Sequence, residues 1–233
     1  MMSGNIDQAE LEKFSSRADA WWDKQGEFKT LHDINPVRLQ YIEQCTPLAH
    51  KNVLDVGCGG GILAEAMAKH NASVTAIDAS KENISCAMQH ADSSGITIDY
   101  HCCTAEDLAR EQPHAFDVVT CMELLEHVPD PLSLIEACAR LVKPGGHVIF
   151  STLNRKPRAY LLAVLAGEYL LNLLPRGTHD YQKFIQPAEL VRWCRQYGLQ
   201  MNDLRGMHYN PLLKRCSLVK EPAVNYLLDT VAG

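Results

Sequence analysis

The chain has 233 residues, of which 46% are hydrophobic, and this is enough to fill the core of one α/β domain. Its formal net charge of −6 provides no basic field, so nucleic acid is not expected as a partner. Nine cysteines without a C-x-x-C pair argue against a disulfide framework or a zinc ribbon and indicate a reducing cytoplasm.

The first 50 residues predict a helical extension. The amino terminus is acidic and has no apolar core, so a signal peptide is not expected. Residues 7–24 predict a helix, because their apolar side chains recur at helical spacing. Residues 27–36 are expected to form a turn-rich linker, with Pro36 opening the helix that carries Arg38.

From residue 52 onwards, short apolar segments alternate with helical ones. The predicted strands are residues 52–56, 73–78, 97–103, 116–122 and 147–153, and the predicted helices are residues 62–70, 80–92 and 130–142. Such alternation predicts a mostly parallel sheet with helices on both faces. After Asn154 the predicted elements are an apolar segment at 159–174, a helix at 187–197 and two late strands near 200–208 and 223–228. We expect a single domain over residues 1–233 with an insertion at 155–186.

The segment VLDVGCGGGI places a glycine loop between a strand and a helix, where backbone can approach a ligand. Asp78 ends the next strand, 78 − 57 = 21 positions after Gly57, where an acid can accept hydrogen bonds from a ribose diol. Enzymes that use NAD and enzymes that use S-adenosylmethionine (SAM) share this arrangement. A tight turn without a ligand is the third alternative.

Two residues favour SAM over NAD. The dinucleotide pattern G-x-G-x-x-G needs glycine at position 62, and the chain has Ile62 there. Asp55 lies just before the loop, where a carboxylate would repel a pyrophosphate and would suit the ammonium group of a methionine moiety.

The chain resembles the class I SAM-dependent methyltransferases in the segments LDVGCGGG, VTAID, FDVVTCMELLEHVPDP and LVKPGG. It further resembles the bacterial ubiquinone-biosynthesis O-methyltransferases in RADAWWDKQGEFKTLHDINPVRLQYI, STLNR, GTHDYQKFIQPAEL and GMHYNP. The resemblance implies a Rossmann-like, seven-stranded sheet. It also implies methylation of a 2-polyprenyl-6-hydroxyphenol and of demethylubiquinol. Methylation of another small phenol or of a carbon centre, an NAD-dependent oxidoreductase, and a cofactor-binding regulator remain the alternatives.

The resemblance also implies SAM contacts at Arg38, Gly57, Asp78 and Met122. Arg38 can grip the methionine carboxylate through its planar guanidinium, and the alternative is a charge on an exposed helix. Met122 can pack against the cofactor and also in the core. Together with the loop chemistry, the expected cofactor-binding set is Arg38, Asp55, Gly57, Gly59, Asp78 and Met122.

Glu123, Glu126 and His127 follow the fourth strand, and three hypotheses compete for them. In the first, the glutamates start a solvated loop and His127 packs in a turn. In the second, His127 is the catalytic general base that removes the phenolic proton. In the third, which we favour, all three bind Mg²⁺, Mn²⁺ or Zn²⁺, and the cation orients the ring and stabilises the phenolate. The resemblance supports the third, since eukaryotic relatives are thought to use an E-x-x-E-H cation site.

Residues 160–174 form an apolar stretch of 15 residues, too short to span a bilayer. Basic side chains flank it at Arg155, Lys156, Arg158 and Arg176. This pattern predicts an interfacial helix that contacts anionic membrane lipids through residues 155–176, and the alternative is a lid or core helix packed on the sheet. A polyprenylated substrate favours membrane contact. The expected location is therefore cytoplasmic, peripherally associated with the inner face of the membrane, where other ubiquinone-pathway enzymes are candidate partners.

Overall fold

The computed structural model describes residues 5–155, 183–210 and 215–233, so the apolar insertion at 159–174 lies outside the described residues. The described strands are β1 (Asn52–Val56), β2 (Ser73–Asp78), β3 (Asp99–Cys102), β4 (Phe116–Met122), β5 (Val142–Leu153), β6 (Leu199–Asn210), β7 (Arg215–Val219) and β8 (Asn225–Ala232). They form one sheet in the order β3-β2-β1-β4-β5-β8-β6-β7.

The described helices are α1 (Gln8–Ser15), α2 (Lys29–Cys45), α3 (Ile62–Lys69), α4 (Lys81–Ser94), α5 (Ala105–Glu111), α6 (Pro131–Leu141) and α7 (Pro187–Gln196). Several begin at a side chain that accepts hydrogen bonds from the first turn. Ser80 caps α4, Thr104 caps α5 and Asp130 caps α6. No helix in the described part of the chain is long and apolar enough to cross a lipid bilayer.

The Rossmann-like arrangement expected from the sequence is confirmed. β1 to β5 pair in parallel, while β8 is antiparallel to its neighbours β5 and β6. One core layer packs α2, α3 and α4 against the sheet, and a second packs α5, α6 and α7 against the opposite face. The strand order reverses between β1 and β4. In open α/β sheets, the cleft at such a reversal is where ligands bind.

The sheet has eight strands, whereas the resemblance implied seven. The additional strand, β7, pairs with β6 in an antiparallel hairpin, in which Gly206 lies opposite Val219 and Asn210 lies opposite Arg215. Its side chains alternate between exposed and half-buried, so the segment lacks the apolar run by which the other strands were recognised.

Two predictions for the N-terminal extension were wrong. The helix expected over 7–24 ends at Ser15, and the linker expected at 27–36 belongs mostly to α2, which begins at Lys29 and contains Pro36. An interior proline costs about 3 kcal/mol, but packing of one helix face offsets that cost. The buried residues of that face are Ile34, Asn35, Val37, Arg38, Tyr41 and Ile42.

Candidate active site

A cavity of about 680 Å³ lies at the carboxyl ends of β1, β2 and β4. Residues from these strand ends, from helices α1 and α2 and from the β6–β7 hairpin line it. Its volume lies within the range of small-molecule sites. The expected site residues that line it are Arg38, Asp55, Gly57, Gly59, Asp78, Met122, Glu123 and His127. Glu126 is the expected site residue that does not line this cavity.

The glycine loop after β1 is built from left-handed backbone. Gly57 has a φ of 70° and Gly59 has a φ of 53°, a backbone region that residues other than glycine rarely adopt. The Gly57 N–H donates to the Ile77 carbonyl at 2.8 Å, which ties the loop to the end of β2. A Cβ at Gly57 would lie 2.7 Å from Leu124 Cδ2. The loop backbone therefore forms part of the cavity wall where a side chain would not fit.

Asp78, at the end of β2, is fixed by several donors. Its Oδ2 accepts from the Gly59 N–H at 2.9 Å, and its Oδ1 accepts from the Ser80 N–H at 2.8 Å and from Asn83 Nδ2 at 3.3 Å. Burial raises the pKa of Asp78, and the hydrogen bonds from Ser80, Gly59 and Asn83 oppose that rise. A carboxylate held in this way can accept hydrogen bonds from a ribose diol.

Asp55, in β1, is buried and accepts a hydrogen bond from Thr120 Oγ1 at 2.7 Å. Burial raises its pKa to about 7, while the Thr120 hydrogen bond and the Arg38 charge pull the pKa down and the Asp78 charge pushes it up. Asp55 therefore changes its charge near neutral pH. A cationic ligand in the cavity would favour the ionised form.

Arg38 is buried in α2, which rules out the alternative of a charge on an exposed helix. Its Nη2 lies 2.7 Å from Glu123 Oε1. Among the described residues, its buried Nε has no hydrogen-bond partner. Because an unsatisfied buried donor is costly, this atom suits a ligand that brings a carboxylate into the cavity.

Glu123 lies directly after β4 with a φ of 52°, an uncommon backbone conformation for a residue other than glycine. Its N–H donates to the Ser151 carbonyl at 2.8 Å. Its Oε1 accepts from Asn225 Nδ2 at 2.9 Å and from Ser151 Oγ at 3.2 Å, in addition to the Arg38 contact. Such strain costs on the order of 1–3 kcal/mol and persists only where neighbours hold it, as these do.

Glu126 and His127 point to different partners. Glu126 is buried, and its Oε2 accepts from Thr152 Oγ1 at 2.9 Å. His127 Nδ1 lies 2.7 Å from Glu10 Oε2, and Phe14 packs edge-on against the imidazole at a centroid distance of 5.2 Å. The hydrogen bond with His127 lowers the pKa of Glu10 to about 2. Helix α1 thus delivers a carboxylate to His127.

The cation site expected at Glu123, Glu126 and His127 is not assembled in this geometry. Within residues 5–155, 183–210 and 215–233, no group of three or more His, Cys, Asp or Glu side chains is placed to hold a metal ion. The three side chains engage Arg38, Thr152 and Glu10 respectively. The arrangement does not fit a cation shared by these three side chains, and the cation site stays a prediction from the sequence.

Three site residues were missed by the sequence analysis: Glu10, Asn83 and Asn225. Glu10 is 117 positions from His127, and Asn225 is 102 positions from Glu123, so no local pattern indicates either pair. Asn83 is only five positions from Asp78 and follows the cap residue of α4. Its position in the first turn of the helix that follows Asp78 was the available signal.

Comparisons with known proteins agree with this geometry. A family model described as a methyltransferase domain matches residues 15–204. The ubiquinone biosynthesis O-methyltransferase of Pseudomonas syringae pv. tomato is 56% identical over 227 residues, which cover 97% of this chain and 98% of that protein. The protein of the same name from Chromobacterium violaceum is 57% identical over 226 residues, which cover 97% of each chain.

Solved structures show the same fold. Magnesium protoporphyrin IX methyltransferase from Synechocystis PCC 6803 with bound SAH aligns with a TM-score of 0.70 and 16% identity, covering 97% of this chain and 100% of that chain. The structure of the same enzyme with bound SAM aligns with a TM-score of 0.67. At 16% sequence identity this similarity shows a shared fold and nothing more.

Proposed function

The chain belongs to the ubiquinone biosynthesis O-methyltransferase family and is a SAM-dependent O-methyltransferase, and we propose that the cavity at the carboxyl ends of β1, β2 and β4 is its active site. Its acceptors are polyprenylated phenols and catechols of ubiquinone biosynthesis, namely a 2-polyprenyl-6-hydroxyphenol and 3-demethylubiquinol. One observation carries the site assignment: the glycine loop, Asp78, Asp55, Arg38 and His127 all line one cavity.

On the cofactor side, each residue has a separate task. SAM, when bound, supplies an electrophilic methyl group on a sulfonium. Asp78 accepts hydrogen bonds from the ribose hydroxyls, and the unsatisfied Nε of Arg38 takes the methionine carboxylate. Asp55 in its ionised form balances the positive charge of the ligand. Met122, 9% exposed, packs in the core and also lines the cavity.

On the acceptor side, His127 takes the phenolic proton. A phenol with a pKa of about 10 is mostly protonated at neutral pH and is then a poor nucleophile. With the Nδ1 proton donated to Glu10, Nε2 of the imidazole carries the lone pair that a general base needs. The remaining requirement is alignment of the oxygen with the methyl group for in-line attack, which the walls of the cavity provide.

A turnover assay tests this proposal. The protein is incubated with SAM and a short-chain demethylubiquinol, and the product mass is read. We expect a gain of one methyl group, and loss of both turnover and SAM affinity in Asp78→Asn. Calorimetry with NAD in place of SAM is the control, and binding of NAD with exclusion of SAM would overturn the assignment.

We further propose that residues 155–176 bring the protein to the membrane surface, where a polyprenylated substrate resides. Most of this segment lies outside the described residues, and its apolar run with flanking basic side chains supports the proposal. The test is sedimentation with liposomes that contain anionic lipid. We expect the intact chain to co-sediment and a chain without residues 159–174 to stay in the supernatant. Equal partition of the two would count against membrane contact.

Two organisational proposals follow from the sequence. Residues 1–233 form one methyltransferase domain, with an N-terminal extension at 1–50 and an apolar insertion at 155–186. Other enzymes of the ubiquinone pathway are proposed as partners, because an intermediate confined to a bilayer passes between enzymes at that surface. Cross-linking on anionic liposomes with and without neighbouring pathway enzymes measures this association.

A further inference from the structure

We propose that Trp21 is a positioning residue for SAM: its indole ring holds the glycine loop and, through Asn83, the carboxylate of Asp78. Trp21 lies between α1 and α2, outside the sheet and the helices that follow it. It is 8% exposed and lines the cavity. The inference rests on the proposed use of the glycine loop and Asp78 as the SAM site.

A hydrogen-bonded relay joins Trp21 to Asp78. Trp21 Nε1 donates to Asn83 Oδ1 at 2.9 Å, and Asn83 Nδ2 donates to Asp78 Oδ1 at 3.3 Å. An indole N–H can only donate, so it selects the amide oxygen of Asn83 and turns the amide nitrogen towards the carboxylate. Asn83 is 3% exposed, so water does not compete readily for these contacts. The indole therefore orients the acid that is proposed to take the ribose.

Steric contacts tie the same ring to the glycine loop. A Cβ at Gly59 would lie 2.5 Å from Trp21 Cη2, and a Cβ at Gly60 would lie 2.4 Å from Trp21 Cβ. Gly60 is not among the glycines with positive φ, so its backbone conformation does not by itself require glycine. The close approach of Trp21 supplies the reason. Two of the loop glycines thus accommodate this tryptophan.

Trp21 is itself held in place. Its ring stacks on Phe28 at a centroid distance of 4.1 Å and an interplanar angle of 4°, and its carbonyl oxygen lies 2.8 Å from His32 Nε2. The neighbouring Trp22 donates from Nε1 to the Gly60 carbonyl at 2.9 Å and stacks on His90. Trp21 contacts the loop through its side-chain surface, and Trp22 contacts it through a hydrogen bond. The shape of the loop and the orientation of Asp78 therefore depend on this segment.

The main test replaces Trp21 by phenylalanine, which keeps an aromatic ring and removes the N–H donor. Calorimetry measures the Kd for SAM, and thermal unfolding confirms that the variant folds. Trp193→Phe is the matched control, because Trp193 lies in α7 and packs against the core layer of α5, α6 and α7, which does not include Trp21. We expect Trp21→Phe to raise the Kd about fivefold, the ratio expected for one lost neutral hydrogen bond, with kcat at saturating SAM unchanged. Trp193→Phe leaves the Kd unchanged.

A double-mutant cycle and fluorescence add independent measurements. Asn83→Ala interrupts the same relay, so its effect on the Kd and that of Trp21→Phe are expected not to add. The chain has three tryptophans, so Trp22→Phe with Trp193→Phe leaves Trp21 as the sole indole. Its emission is expected to change when SAM or SAH is added. An unchanged emission would contradict the inference even if Trp21→Phe does not fold.

The outcomes separate this inference from the function beneath it. A wild-type Kd for SAM in folded Trp21→Phe, with a weakened Kd in Asp78→Asn, overturns the role of Trp21 and leaves the proposed SAM site standing. A wild-type Kd in both variants overturns the proposed site as well. A change in thermal stability alone, with SAM affinity unchanged, assigns Trp21 to packing and also overturns the inference.

Discussion

Arg38 Nη2 lies 2.7 Å from Glu123 Oε1, so an ion pair joins helix α2 to the residue that follows β4. Both residues line the cavity. Arg38, which is proposed to bind the carboxylate of the cofactor, is therefore coupled by this ion pair to the strained backbone of Glu123 at the end of β4. Mutations at either position are expected to change both binding and stability.

Arg38→Ala is expected to lower the unfolding free energy by about 3 kcal/mol, the lower end of the range for breaking a buried ion pair, because it leaves a largely buried glutamate without its cation. The Kd for SAM is expected to rise as well. Arg38→Lys keeps the charge and loses the planar fork, so it should recover stability more than SAM affinity. Urea unfolding and calorimetry measure the two effects. In the double variant with Glu123→Ala, the destabilisation should be smaller than the sum of the single effects, and strict additivity would contradict the pairing.

His127→Ala is expected to lower kcat by roughly 10²- to 10⁴-fold, the range for removal of a general base, while the Kd for SAM is retained. Glu10→Gln keeps an acceptor oxygen for Nδ1 and is expected to reduce kcat less than Glu10→Ala does. Steady-state turnover with a short-chain catechol quinol measures this series. Glu12→Gln, an exposed acid on the same helix, is the matched control. Equal activity of Glu10→Ala and the control would show that α1 does not orient His127.

SAM binding is expected to depend on pH through Asp55. Because burial raises the pKa of Asp55 to about 7, the free protein holds a proton there in acid, and a cationic ligand must displace it. The affinity for SAM should therefore weaken as pH falls below 7, approaching about tenfold per pH unit for one linked proton. Calorimetry in buffers of different ionisation enthalpy counts the released proton.

Asp55→Asn is the control for that measurement and should remove the acid-side dependence. The α-amino group of free SAM, with a pKa of about 7.7–8.0, is already protonated below pH 7, so the acid-side difference between the two proteins isolates Asp55. A pH profile that is the same in Asp55→Asn and in the unaltered protein would assign the dependence to another group.

Chelation decides between the hypotheses for Glu123, Glu126 and His127. From their separate partners we expect full activity after treatment with a chelator, and no increase on addition of Mg²⁺, Mn²⁺ or Zn²⁺. Product mass is read before and after treatment. Loss of activity that a divalent cation restores, together with loss in Glu126→Gln, would instead support the cation site predicted from the sequence.

The fold was predictable where burial made the local pattern unambiguous. The predicted strands 52–56, 73–78 and 116–122 coincide with β1, β2 and β4, because strands buried on both faces form short apolar runs between turn residues. The start of helix α2 was not predicted correctly from the local pattern. Pro36 indicates a helix start by local preference, whereas the helix begins at Lys29, and Leu31 in its first turn packs against the cluster that contains Trp21 and Phe28.

The sequence by itself determined the parallel sheet, the glycine loop and the acid at the end of the next strand, because each depends on spacing within one short segment. Only the tertiary structure decided which side chains meet. Glu123, Glu126 and His127 lie within five consecutive positions, yet they pair with Arg38, Thr152 and Glu10. Hydrogen bonds and ion pairs form between atoms that packing brings within about 3 Å, whatever their separation along the chain.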